Sequence, residues 1–229
     1  LREKIRASAF AKVAAGSTLR EAPPRRFRPP ASATPGRVNK LVVIGCSTGG
    51  PKALTYVLPT LPLATDTAYL IVQHMPPGFT GPLAERLDRI SAVRVKEAED
   101  GDRIQAGLAL LAPGGLHMEV QRDGTVSLND SPTIHGVRPA IDVTMVSAVG
   151  AFAHRAHAVI LTGMGRDGLE GCRQVKLAGG VIVAEDEASC VVYGMPKVVI
   201  DAGLADRVAL VDDVGSALGD LLSQHARVA

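Results

Sequence analysis

The segment Leu41-Val42-Val43-Ile44-Gly45-Cys46-Ser47-Thr48-Gly49-Gly50-Pro51-Lys52-Ala53-Leu54 passes from an unbroken apolar run, through a glycine-rich turn, into a proline-headed helical pattern. An apolar run without polar alternation marks a strand buried on both faces of a parallel sheet. Proline suits a first helical turn because its missing N–H would have no partner there. The same order recurs along the chain. Ala68 to Val72, Ala158 to Leu161 and Val181 to Val183 are further apolar runs, and Pro51 to Leu58, Thr80 to Ile90, Ile141 to His154 and Gly168 to Ala178 read as helices. Between them Leu108 to Ala112, His117 to Gln121 and Thr125 to Leu128 read as shorter strands, and Asp123-Gly124 suits a tight hairpin turn between the last two. The expectation is an α/β fold: a doubly wound, mainly parallel sheet with helices on both faces and a small antiparallel hairpin insertion.

Outside this body the chain changes character. Residues 1–40 hold ten Lys/Arg against two Asp/Glu, leaving fifteen against twenty-one in the remainder, so the formal net charge of +2 is a cancellation between two unlike parts. Leu1, Ile5, Ala9 and Val13 would share one stripe of an amphipathic helix. Gly16 to Arg37 then contains Pro23, Pro24, Pro29, Pro30 and Pro35 among arginines, alanines and serines, a composition that favours extended, solvated chain. Residues 1–37 are therefore expected to be a basic helix and interdomain linker, and residues 38–229 the folded domain. The basic run reads as a soluble spacer or as a docking surface for an acidic partner. No apolar stretch approaches the roughly 18 residues a membrane helix needs, so no membrane insertion is expected. Three cysteines cannot form a disulfide framework, and nothing resembles a secretory signal, which points to the cytoplasm. With 3% aromatic residues and no tryptophan, material for base stacking is scarce, and nucleic acid is not an expected partner.

In a doubly wound sheet function collects beyond the carboxyl ends of the strands, where three loops stand out. Gly45-Cys46-Ser47-Thr48-Gly49-Gly50-Pro51 lacks the Lys-Ser/Thr pair that a Walker-type phosphate loop requires after its last glycine. It reads either as a helix cap or as a turn presenting a nucleophilic hydroxyl beside free N–H donors. Its letters also fit G-x-S-x-G, a pattern too common to decide between them. Gln73-His74-Met75-Pro76-Pro77-Gly78 places His74 one βα unit after Ser47, at a strand end that can adjoin it. Thr162-Gly163-Met164-Gly165-Arg166-Asp167-Gly168 matches G-x-G-x-x-G after a strand and before a helix, and Glu185-Asp186 ends the next strand, so a dinucleotide-binding oxidoreductase using the Gly163-Gly165-Gly168 loop is one reading. Against it, the Asp167 carboxylate would stand where pyrophosphate approaches. If Asp167 instead orients His74, a Ser, His, Asp set results, and such sets are recognised by geometry rather than chain order.

Taken together, Val43 to Gly50, Gln73 to Thr80, Leu161 to Gly168 and Glu187 to Pro196 closely resemble the methylesterase domain of the bacterial chemotaxis protein CheB, and the likeness runs from about Lys40 to the C-terminus. The resemblance implies that Ser47 is the nucleophile, His74 the base and Asp167 the group that orients it. It implies that the Met164 backbone N–H stabilises the oxyanion, with Thr48 a further contributor. Cys46 stands where the family usually has a small residue; its thiol is a rival nucleophile that a strand-end side chain would normally turn away. The implied activity is hydrolysis of glutamyl methyl esters on methyl-accepting chemoreceptors, with release of methanol and deamidation of receptor glutamines. Neither metal nor organic cofactor is needed for that chemistry, and His154 and His157 read as structural or surface residues rather than ligands. Met75, Pro77, Phe79 and Cys190 to Met195 would line the approach. Family members commonly carry an upstream phosphorylatable receiver domain that covers the site. Leu1 to Arg37 resembles the end of that region, so the chain is expected to be a piece lacking the receiver and behaving as a released domain. A receptor-binding adaptor without turnover is the remaining alternative.

Overall fold

The computed structural model describes residues 38–62 and 66–225; the helix and linker expected over residues 1–37 lie outside the described residues. In chain order the elements are β1 (Lys40–Cys46), α1 (Gly50–Val57), β2 (Thr67–Gln73), α2 (Thr80–Asp88), β3 (Arg94–Glu97), β4 (Leu108–Leu111), β5 (His117–Val120), β6 (Val126–Asn129), α3 (Ile141–Phe152), β7 (Ala156–Ile160), α4 (Leu169–Leu177), β8 (Ile182–Glu185), α5 (Met195–Asp201), β9 (Arg207–Ala209) and α6 (Val214–His225). Seven strands form one sheet in the order β3-β4-β2-β1-β7-β8-β9, with every neighbouring pair parallel, and β5 and β6 form a separate antiparallel hairpin. From β1 at the centre of the sheet the chain winds out through β2 toward one edge, then returns to β7 on the other side of β1. The winding direction therefore reverses between β1 and β7, and a crevice opens at their carboxyl ends.

Side-chain alternation divides the core into two layers. Val42, Ile44 and Cys46 of β1 face a cluster with Leu54 and Val57 of α1, Leu83 and Leu87 of α2, and Leu218 and Leu222 of α6. Leu41 and Val43 face the opposite cluster, with Ile141 and Met145 of α3, Val175 of α4 and Val199 of α5. Strands apolar on both faces are what such a sandwich requires, and the uninterrupted sequence runs follow from it. The hairpin has a defined task in this layout: Thr144 Oγ1 donates to the Met118 carbonyl at 2.7 Å and Val120 N–H to Ser147 Oγ at 3.0 Å, which fixes α3 against β5.

At the amino ends of the strands, His157 of β7 is fully buried. Its Nδ1 accepts the Val181 N–H at 3.2 Å, and its ring meets His225 edge-on with 5.1 Å between centroids. The accepting Nδ1 leaves the proton on Nε2, directed to no acceptor among the described residues. Burial, and then the neighbouring His225, push its pKa down to about 3, so the ring is a neutral packing element.

Candidate active site

Three loops converge at the crevice. The β1–β2 register pairs Cys46 with Gln73, so the chain leaves both strands level, with Ser47 and His74 as the next residues. His74 N–H donates to the Cys46 carbonyl at 3.1 Å, and the buried Gln73 amide donates to the Ser47 and His74 carbonyls, both at 3.0 Å. Gln73 thereby staples the two loops side by side. From the other flank, Ser47 N–H donates to the Thr162 carbonyl at 3.0 Å. A Cβ on Gly163 would lie 2.7 Å from Ser47 Cβ, so a side chain at that position could not coexist with the serine as placed. Ser47 is half-buried between the β2 and β7 loops. Among the described residues no hydrogen bond joins its hydroxyl to the imidazole; shared backbone contacts bring the two together.

His74 Nε2 meets Asp167 Oδ2 at 2.7 Å, with both side chains more than nine-tenths buried. The same Oδ2 accepts the Ile141 N–H at 2.7 Å, while Oδ1 accepts the N–H groups of Asp142 at 3.1 Å and Gly168 at 3.0 Å. Ile141 and Asp142 open α3, so Asp167 occupies the positive end of a helix dipole. Burial pushes the Asp167 carboxyl up, but the hydrogen bonds from His74, Ile141 and Asp142 outweigh it and hold the group below the usual carboxylate range. An ionised carboxylate only accepts, so Nε2 carries the imidazole proton and Nδ1 is left as the basic nitrogen.

Thr162, at the end of β7, ties the loops together. Its Oγ1 donates to the Thr48 carbonyl at 3.0 Å and accepts the Val192 N–H at 2.9 Å, while its own N–H donates to Glu185 Oε2 at 2.7 Å. Cys46, by contrast, points into the α1 layer: its Sγ donates to Gln73 Oε1 at 3.0 Å, and burial followed by the charge of Glu185 pushes the thiol far up. Thr48 and Met164 are exposed, and among the described residues neither backbone N–H has a protein acceptor.

Residues 42–218 match the family model described as CheB methylesterase. The chain belongs to the CheB methylesterase family. It is 51% identical over 179 residues to the protein-glutamate methylesterase/protein-glutamine glutaminase of Symbiobacterium thermophilum, covering 78% of this chain and 49% of that protein. To the corresponding protein 1 of Pseudomonas aeruginosa it is 50% identical over 185 residues, covering 80% and 50%. The crystal structure of the Thermotoga maritima CheB methylesterase catalytic domain matches with a TM-score of 0.76 at 46% identity, over 80% of this chain and 98% of that one. The chain thus spans about half the length of the curated relatives it matches.

The CheB methylesterase family membership gives the dinucleotide-binding oxidoreductase reading of the Gly163-Gly165-Gly168 loop no support. Gly163 is small because Ser47 abuts it, and Gly168 adopts φ 93° to lead into α4. The first two N–H groups of α3 are filled by Asp167, and that of Gly171 in α4 by Asp142 Oδ1 at 2.7 Å, so these donors already hold carboxylates of the chain itself. His135, Asp142 and Asp167 bring potential ligand atoms within 4.8 Å of one another, but the Asp167 oxygens already accept four N–H groups, the mark of a hydrogen-bonded network rather than a metal centre. Gln73, Thr162 and Asp142 carry structure at this CheB-family site without having been singled out by sequence. Only for Gln73 was a signal available, a polar residue closing an apolar strand, where a buried polar side chain must find partners.

Proposed function

We propose that the domain is a serine hydrolase acting on glutamyl methyl esters of methyl-accepting chemoreceptors, releasing methanol, and on receptor glutamines, releasing ammonia. The observation that carries this reading is the 2.7 Å contact between His74 and Asp167, at a strand end level with Ser47, in a chain of this family. The Ser47 hydroxyl attacks the ester carbonyl while His74 Nδ1 takes its proton; the tetrahedral intermediate collapses, and the same nitrogen returns the proton to the departing methoxide. Water, deprotonated by Nδ1, then attacks the acyl-serine and restores the hydroxyl, leaving glutamate. With glutamine the leaving group is ammonia and the acyl-serine is identical. Asp167 fixes the tautomer and stabilises the imidazolium.

Because Ser47 N–H is committed to Thr162, the oxyanion donors come from its neighbours, and the unpartnered N–H groups of Thr48 and Met164 fill that role. The burial of Cys46 and its bond to Gln73 support Ser47 over this thiol as the nucleophile. Phe79, Met164 and Val191, all more than half exposed, form an apolar rim around the loops and meet the receptor helix. Met75, Pro77 and the remainder of Cys190 to Met195 complete that approach. The domain works in the cytoplasm, where receptor helices present their glutamyl sites, and an upstream phosphorylatable receiver domain covers the site until activation. Among the described residues no helix is long and apolar enough to cross a membrane.

The test is chemical: incubation with a methylated receptor fragment releases methanol, the glutamine form releases ammonia, and a fluorophosphonate probe labels Ser47 as read by peptide mass spectrometry. Labelling of Cys46 instead, or receptor binding with no product, would refute the assignment.

A further inference from the structure

A second histidine–aspartate pair lies directly behind the first. Asp142, in the first turn of α3, gives its backbone N–H to Asp167 Oδ1 at 3.1 Å. Its own carboxylate accepts the Gly171 N–H through Oδ1 at 2.7 Å and meets His135 Nε2 through Oδ2 at 3.3 Å. Asp142 is buried, whereas His135 is exposed on a groove of about 740 Å³. His135 also holds φ at 53°, in the left-handed region that non-glycine residues rarely occupy unless their surroundings impose it.

Holding α4 does not by itself call for a charge at position 142, since an asparagine oxygen would accept the Gly171 N–H equally well. Two buried carboxylates this close disfavour one another's ionisation. Burial raises the Asp142 carboxyl, the Gly171 bond opposes that, and Asp167 raises it further. The remaining charged groups lining the groove are Glu119 on β5, Arg166 before α4, and Glu170 and Arg173 on α4. Their formal charges cancel, with Arg173 and Glu170 paired at 3.8 Å. On the inner side stand Asp167, His74 and the Cys172 thiol, which burial, and then the Asp142 carboxylate, push up. His135 is thus the side chain in the groove that Asp142 meets directly, at 3.3 Å.

Resting on the reading of Ser47, His74 and Asp167 given above, we propose that Asp142 is a positioning residue whose negative charge, offset by His135, sets the basicity of the His74–Asp167 pair from outside the site. A second carboxylate behind Asp167 adds to the negative potential at the imidazole, and a positive charge beside Asp142 offsets it.

The pH profile of kcat/KM for methanol release from a methylated receptor fragment, taken from about pH 5 to 9, tests this. Asp142→Asn keeps the acceptor for Gly171 and removes the charge, so the acid limb moves to lower pH by about half a unit or more. His135→Gln, at an exposed position, moves it the opposite way, and KM changes less than about twofold in both variants. An acid limb unmoved in either variant overturns the proposal, even where the rate falls, because a merely structural role lowers the rate without shifting the limb. Ser47→Ala in the same series separates the two levels: activity there sinks the reading of the site itself, whereas an inactive Ser47→Ala beside unmoved acid limbs sinks only this proposal.

Discussion

Asp142 and Asp167 exchange helix ends. Asp167, which leads into α4, accepts the first two N–H groups of α3, while Asp142, in the first turn of α3, accepts the Gly171 N–H of α4 at 2.7 Å. Each helix start is thereby filled by a carboxylate belonging to the other segment, and the favourable dipole interaction is satisfied within the chain. The exchange places Asp167 where His74 finds it and accounts for its ionised state despite burial.

Replacing Asp167 by asparagine tests the tautomer argument. The amide NH₂ facing Nε2 forces the imidazole proton onto Nδ1 and abolishes the base. Initial-rate measurements should show kcat lower by about 10⁴ with KM little changed.

The oxyanion assignment rests on a backbone group, so side-chain and backbone changes should diverge. Met164→Leu keeps kcat within about threefold, whereas Met164→Pro removes the N–H and lowers kcat by about 10²–10³. Equal effects from the two substitutions would place the oxyanion elsewhere.

At Gly163 an added methyl meets Ser47 Cβ at 2.7 Å and Met195 Sδ at 2.6 Å. Gly163→Ala therefore displaces the Ser47 turn, costing about 1–3 kcal/mol in urea unfolding and, on the proposed function, most of the methanol release. NAD(P) titration should give no saturable binding to either protein.

Acid should weaken the fold through His157. Its pKa falls from 6.5 in the open chain to about 3 when folded, so the unfolded state binds the extra proton between those values. Its stabilising contribution is complete above about pH 6.5 and is lost as the pH falls toward 3, at no more than about 1.4 kcal/mol per pH unit. Urea titrations at several pH values should show His157→Gln with a flatter acid limb than the wild type.

Much of this arrangement was legible beforehand. The central strands announced themselves because burial on both faces demands continuous apolar residues, as in Leu41 to Ile44. The edge strands did not: Arg94-Val95-Lys96-Glu97 and Arg207-Val208-Ala209 are short and carry charge, as exposed edges do. Ile141 to His154 read as one helix, but the regular helix stops at Phe152, where Ala153 turns to φ 50°. Ser47, His74 and Asp167 stood out because each follows a recognisable strand in a distinctive loop. Asp142 was silent, being one acidic residue in a helical first turn, and only the folded chain shows it against Asp167. Thr162 was likewise unreadable, since its role lies in contacts to Thr48 and Val192 contributed by distant loops.

The most direct measurement is methanol release from a methylated receptor fragment by Ser47→Ala, alongside its circular dichroism spectrum and urea midpoint. The account predicts release indistinguishable from the uncatalysed background with the fold unchanged. Methanol release at the wild-type rate would contradict it.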